Sequence, residues 1–239
     1  MKKSGRETVA DRMTNVLFTL PALLLYCVFF IYPVLLGINY SFTDWNGIAM
    51  EYTYIGFQNY WNLFKNPFFW QSMRITLMYT LMLVVGVMFL SLVLSLSLNS
   101  MKHFQTFTKS VFFVPAMIGG VTIALIFDQI YYRVIPVIGH ALGISALSQS
   151  PLATTKTALI AIVAVNIWQA TAMPTLIFMA GLQSVPGDLY ESAMLDGASA
   201  WQRFRYITFP YLIPTFTINM VLTVKAGIVT FDYIWALTQ

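Results

Sequence analysis

The sequence predicts an all-α integral membrane protein: a bundle of five transmembrane helices with a polar, two-helix loop before the last of them. Two observations predict it. The first is composition: 58% of residues are hydrophobic, 9% are charged, and the mean hydropathy is +0.71. A soluble domain carries about 25% charged residues, so a chain this poor in charge cannot cover a water-facing surface. The second is pattern. The apolar residues fall in five long runs without the alternation of strands, and roughly 20 such residues span a bilayer as a helix. Hydrocarbon also demands that each segment satisfy its own backbone hydrogen bonds.

The first run, Val16–Ile38, follows Lys2, Lys3 and Arg6. It is longer than the apolar core of a secretory leader and lacks a small-residue cleavage site. It is therefore expected to stay as the first span, after an N-terminal tail at 1–15. The others are Ile75–Leu98, Val111–Tyr132, Thr157–Leu182 and Leu212–Leu237. Lys and Arg set the orientation. Eight lie in the N-terminal tail and the loops on its side, against four in the opposite loops. This places the N-terminus and the 183–211 loop in the cytoplasm.

Aromatic residues crowd the opposite loop from Asn39 to Arg74, which suits a headgroup-level belt. Ile135–Pro151, with Pro136, Gly139, Gly143 and Pro151, reads as a loop. The single Cys27 excludes an internal disulfide, and no metal-ligand cluster or cofactor motif is visible. The net charge of +4 follows from topology and needs no nucleic acid.

The 183–211 segment is the most informative. Pro186 can start a helix, with Asp188 and Glu191 near its positive end. Gly197 can end it in the left-handed conformation. Ser199 and Gln202 have the spacing of a capping box for a second helix, which puts Trp201, Phe204, Thr208 and Tyr211 along one face. Pro210 and Pro214 mark the return to the membrane. Asp196 at a helix C-terminus and the acidic first helix suit a protein cleft better than an anionic lipid surface.

"ESAMLDGASAWQRFRYITFP" (Glu191–Pro210) resembles the cytoplasmic loop of permease subunits in binding-protein-dependent ABC importers. Glu191, Ala193, Gly197, Phe204, Ile207 and Pro210 match that pattern; Ser192 stands for a second Ala, and Asp196 precedes the glycine. "YPVLLGINYSFTDWNG", "YIGFQNYWNLF", "FFVPAMIGGVTIALIF" and "AGLQSVPGDLY" resemble the carbohydrate permeases related to those for maltose and glycerol 3-phosphate. The resemblance implies a multi-pass protein of a bacterial-type cell membrane, in contact with lipid. Its partners would be a second permease subunit, ABC ATPase subunits docked on the loop, and an extracytoplasmic solute-binding protein delivering a sugar. It also implies an outer Gly-Gly-Pro loop and a sixth span beyond Gln239, so the chain is expected to be C-terminally incomplete.

Two stripes could line a solute path. Asn166, Gln169, Ala170 and Met173 share a face of the fourth span; Thr223, Gly227 and Thr230 share one of the fifth. These positions match cavity-lining ones in the maltose-type permease. Helix packing is the alternative reading, and for Ala170 and Gly227 singly it is the preferred one. Lys225 is expected to pair with Asp232 or Asp128. No nucleophile–base pair and no phosphate-binding loop is present, so ATP hydrolysis belongs to another chain. The alternatives are a non-sugar solute, such as glycerol phosphate or a polyamine, in the same importer class, and a secondary transporter.

Overall fold

The computed structural model describes residues 9–101, 105–230, 234 and 237. Its elements run in the order α1 (Val9–Tyr26), α2 (Tyr32–Tyr40), α3 (Gln58–Lys65), α4 (Pro67–Ser100), α5 (Gln105–Met117), α6 (Gly120–Gln129), α7 (Ile135–Leu142), α8 (Thr155–Ala170), α9 (Ala172–Gln183), α10 (Gly187–Leu195), α11 (Ala200–Arg203) and α12 (Phe209–Val229). Among the described residues the one strand-like feature is an isolated bridge between Thr43 and Tyr54. The chain divides into two compact units, Met1–Ser72 and Met73–Gln239.

In the first unit, Met13–Tyr40 is one helix of 28 residues, apolar enough to cross a membrane, and none of its apolar window is buried. After it, the 41–57 segment is held by polar ties. Thr43 is buried and donates to the Tyr40 carbonyl, and the Asn59 amide donates to the carbonyls of Ser41 and Thr43. The loop's aromatic rings pack on each other, Tyr40 on Trp45 at 4.1 Å and Phe42 edge-on to Phe57 at 5.2 Å.

The second unit is built around α4. Tyr79, Leu83 and Val87 are fully buried one turn apart and pack with Ala124 of α6 and Ile162 and Val163 of α8. Ser91 and Ser95 continue this stripe, and their hydroxyls are satisfied by the Val87 and Leu92 carbonyls of the same helix. Small residues let neighbours approach closely, as intramembrane packing favours. A Cβ on Gly86 would run into Ile167, and one on Gly227 would sit 2.8 Å from Thr80 Cγ2. A second cluster joins Met88, Phe178, Leu182 and Leu212.

Three prolines explain where the elements differ from the sequence reading. Pro33, Pro136 and Pro210 each sit two residues after a single π turn, at Cys27–Ile31, Ile130–Val134 and Phe204–Thr208. A proline inside an α-helix clashes with the carbonyl four residues back and gives it no hydrogen bond. The wider turn bonds one residue further back, as Phe209 N–H does to the Phe204 carbonyl, and the helix continues. Pro210 therefore does not interrupt: Ala200–Val229 is one helix of 30 residues. The stretch read as a loop from Ile135 contains α7, with Pro136 in its first turn and Gly143 as its left-handed stop at φ +66°. The segment read as one span over Val111–Tyr132 is interrupted at Ile118 and Gly119, and its second half continues as a membrane-length helix, Gly120–Leu142. The far end of the Leu212–Leu237 span lies largely outside the described residues.

The fourth span behaves differently. Pro174 arrives without a π turn, and α8 and α9 meet at Thr171 with a bend of 46°. Thr171 and Thr175 donate their hydroxyls back to the Ile167 and Thr171 carbonyls, a bond type that bends helices. With α8 and α9 taken as one broken span, five segments among the described residues are long and apolar enough to cross a membrane.

Candidate functional site

The residues expected to face a solute fall into two sets. Asn166 is 7% exposed, and its amide donates to the Tyr79 hydroxyl of α4 at 2.7 Å. Thr230, at the end of α12, lies beside that hydroxyl and gives its own proton to the Ala226 carbonyl. Gly227 is pressed on Thr80. These three form the tie between α4, α8 and α12, where packing is their visible work.

Gln169, Ala170, Met173 and Thr223 line open space. Gln169, Ala170 and Met173, with Ala116 of α5, border a cleft of about 240 Å³. Ala170 and Met173 continue into a second of about 140 Å³, whose far wall is Asn219, Thr223 and Ala226 of α12. Both clefts lie at the bend of the fourth span, where Pro174 has no N–H to give to the Ala170 carbonyl. The bend turns the chain away from α8's axis and leaves these residues at the corner.

Polar atoms in this wall are held in definite orientations. Gln169 donates its amide N–H to the Ile118 carbonyl at 2.6 Å, and Asn219 donates to the Pro174 carbonyl at 3.1 Å. Gln169 Oε1 and Asn219 Oδ1 are buried without a partner among the described residues. Thr223 gives its hydroxyl proton to the Asn219 carbonyl. The sequence reading missed Asn219 and Tyr79. Asn219 lies four residues before Thr223, so extending the α12 stripe by one turn finds it; nothing local marks Tyr79. Lys225 is exposed on α12, Asp128 accepts from Gln129, and Asp232 lies outside the described residues.

The 183–211 segment forms a two-helix knob. α10 ends at Leu195 with Gly197 at φ +76°. Gly197 N–H bonds to the Met194 carbonyl at 3.1 Å and Ala198 N–H to the Ala193 carbonyl at 2.9 Å, the paired bonds of a Schellman stop. The capping box follows: Ser199 Oγ accepts from Gln202 N–H, and Gln202 Oε1 accepts from Ser199 N–H. Arg203 donates back to the Ala198 carbonyl, and the hydroxyls of Tyr190 and Thr208 join α10 to the π turn at 2.7 Å. Ala193, Phe204 and Ile207 are half-buried inside the knob. Glu191, Ser192, Asp196 and Pro210 are exposed, as are Leu195 at 90% and Trp201 at 69%. A ladder of rings links this knob to the core: Trp201–Phe204, Phe204–Phe209, Phe209–Phe216 and Phe216–Phe178, each 5.7–6.3 Å between centroids.

No family model matches the chain. Curated relatives do. The chain is 39% identical over 221 residues to the multiple sugar-binding transport system permease MsmF of Streptococcus mutans, covering 92% of this chain and 76% of that protein. It is 33% identical to the probable starch degradation products permease AmyD of Thermoanaerobacterium thermosulfurigenes, over 93% of this chain and 75% of that protein. The trehalose/maltose permease MalF of Thermococcus litoralis is 31% identical, over 93% and 76%. The fold matches a chain of a bacterial ABC transporter involved in the import of the acidic polysaccharide alginate, with a TM-score of 0.80 at 21% identity, covering 97% of this chain and 79% of that one. Aligned with such relatives along more than nine-tenths of its length, the chain belongs to the family of sugar ABC-importer permeases, membrane-spanning subunits whose ATPase is a separate chain.

Proposed function

We propose that the chain carries an oligosaccharide across the membrane along the Gln169–Ala170–Met173 and Thr223 wall, with the 187–208 knob as the contact for an ABC ATPase subunit. Asn166, Gly227 and Thr230 hold that wall in place from behind. A second permease subunit closes the path, and an extracytoplasmic binding protein delivers the sugar. The N-terminus and the knob lie in the cytoplasm, in keeping with the excess of Lys and Arg on that side.

The observation that carries this reading is the knob's surface. Leu195 and Trp201 are largely exposed on a segment that also exposes Asp188, Glu191, Asp196 and Arg205. So polar a segment is not a lipid-facing one, and its apolar side chains call for a protein cleft. The capped turn fixes the angle between α10 and α11, and the ring ladder gives a rigid connection to the α9–α12 core. The names of the relatives supply the sugar class.

Co-expression with the partner subunits tests both halves. Glu191→Lys should leave the permease folded but abolish retention of the ATPase in a pull-down, while the parent retains it. A Cys at Ser192 should label from the cytoplasmic side in a background lacking Cys27. Full retention of the ATPase by Glu191→Lys removes the residue from the contact, and labelling from outside in sealed cells reverses the topology. Uptake of a panel of maltose, trehalose and arabino-oligosaccharide into liposomes by the assembled complex tests the solute class.

A further inference from the structure

We propose that Asn219 is a specificity-determining residue, whose side-chain oxygen accepts a hydrogen bond from a hydroxyl group of the solute and favours neutral, polyhydroxylated sugars over acidic ones. The inference rests on the sugar-import reading above and names the chemistry its path selects.

The argument starts from an atom without a partner. Asn219 is 0% exposed in the middle of α12. Its amide nitrogen donates to the Pro174 carbonyl at 3.1 Å. A carbonyl oxygen can only accept, so the amide cannot be turned round: the nitrogen must face Pro174 and Oδ1 must face away from it. Oδ1 then finds no donor among the described residues. Buried polar atoms are nearly always paired, and one that is not calls for a reason. Asn219 stands in the wall of a cleft, with Ala170, Met173, Pro174, Thr223 and Ala226.

The neighbouring polar groups have the same character. Thr223 spends its proton on the Asn219 backbone carbonyl, so its oxygen offers lone pairs. Gln169 gives one amide N–H to the Ile118 carbonyl, and its Oε1 has no partner among the described residues. The wall therefore presents acceptor oxygens without donors, and among the described residues no charged side chain borders the cleft. Sugar hydroxyls supply the missing donors. A carboxylate or sulfate would bring acceptors against acceptors in a place with no cation to receive it.

Solvent does not reach Asn219 in this conformation. Met173, 60% exposed, flanks it in the same wall. Its unbranched thioether chain can take up new rotamers more readily than a branched one, so the acceptor comes into use as the cleft widens for a solute.

The test uses the chain assembled with its partner permease, ATPases and binding protein in liposomes. The probes are the best-imported sugar of the panel above, its complete set of monodeoxy analogues and its uronic-acid counterpart. In the parent, one monodeoxy analogue should be transported about three- to tenfold less well than the sugar, the range of a single neutral hydrogen bond. In Asn219→Leu the sugar itself should fall by that factor and the analogue should fall no further. The preference for the neutral sugar over the uronic acid should also shrink. If Asn219→Leu fails to assemble, Asn219→Ser, which removes the amide with less bulk, is read against the same series. Equal losses for the sugar and every analogue, or no loss at all, overturn the Asn219 assignment and leave the import reading standing. Absence of uptake of every panel sugar by the parent complex overturns the import reading, and this inference with it.

Discussion

The knob at 187–208 and the polar wall at the bend of the fourth span are both hydrophilic insertions in an apolar chain, yet they are built in opposite ways. The knob is made locally. Its stop, its cap and its cross-tie join residues three to eighteen apart, and its outer surface is left bare. The wall is made from a distance. Asn166 reaches Tyr79, 87 residues away; Gln169 reaches Ile118, 51 away; Asn219 reaches Pro174, 45 away. Water can serve any group the knob leaves unpaired. In the wall each group must find a partner or a solute, since an unmet buried acceptor costs about 1–3 kcal/mol. The difference teaches where damage will show: in the knob as lost communication, in the wall as lost packing or lost selectivity.

Two glycines give the largest test of that contrast. Gly227→Leu drives a side chain into Thr80, whose Cα would be 3.1 Å from the new Cβ. Overpacking of this kind costs about 1–3 kcal/mol and should lower the thermal midpoint of the purified protein by several degrees. Gly197→Val meets no atom within 4 Å but forces a β-branched residue to φ +76°, a cost of about 1–2 kcal/mol that the knob avoids by turning differently. Its midpoint should stay near the parent's, while binding-protein-stimulated ATPase activity should be lost. If Gly197→Val melts the bundle as Gly227→Leu does, the knob is part of the fold and the contrast fails.

The same distinction decides how much could be read from the sequence. The left-handed stop at Gly197 and the Ser199–Gln202 box were legible because both are short-range motifs. The apolar runs gave the helical class. The prolines misled. Pro136 reads as a loop residue and Pro210 as a mark of re-entry into the membrane, since nothing in a residue list tells a π turn from a terminus. Pro174, inside an apolar run, carries no such signal, though it accompanies the 46° bend between α8 and α9. Asn166 and Gln169 are one turn apart and were read as one surface. Their partners lie on different elements, α4 for one and the Ile118 junction for the other, and such long-range pairings leave no local trace.

A smaller effect sharpens the account of the wall. Asn166→Leu removes one neutral hydrogen bond to Tyr79 and should cost about 0.5–1.5 kcal/mol. Tyr79→Phe should cost a similar amount. If the two residues serve each other, the double variant should be less harmed than the sum, with a coupling of about 0.5 kcal/mol or more in denaturation midpoints measured in detergent. Strict additivity would show that the Asn166 amide has its main partner elsewhere. Unchanged solute preference in Asn166→Leu would separate this tie from the Asn219 acceptor.

The smallest effect lies in the first unit, where Asp44 offers a third, local polar device. Its carboxylate accepts from the Thr53 backbone N–H and from the Thr53 hydroxyl, both at 2.7 Å. The backbone bond first, then the hydroxyl, hold its pKa below the usual carboxylate value. A carboxyl group whose folded pKa is depressed stabilises the fold above its unfolded value, about 3.9. That contribution is lost as the pH falls through the folded value. Asp44 is exposed, so solvent screens it and the effect should stay confined to the pairing of residues 43–54. Hydrogen exchange at the Thr53 amide, corrected for intrinsic rates, should show protection at pH 5 that weakens toward pH 3. In Asp44→Asn it should be lower at pH 5 and flat across that range. Equal pH dependence in the two proteins would move the titrating group elsewhere. A fall in the thermal midpoint of the whole protein over the same window, absent in Asp44→Asn, would show that even this local tie is wired into the bundle.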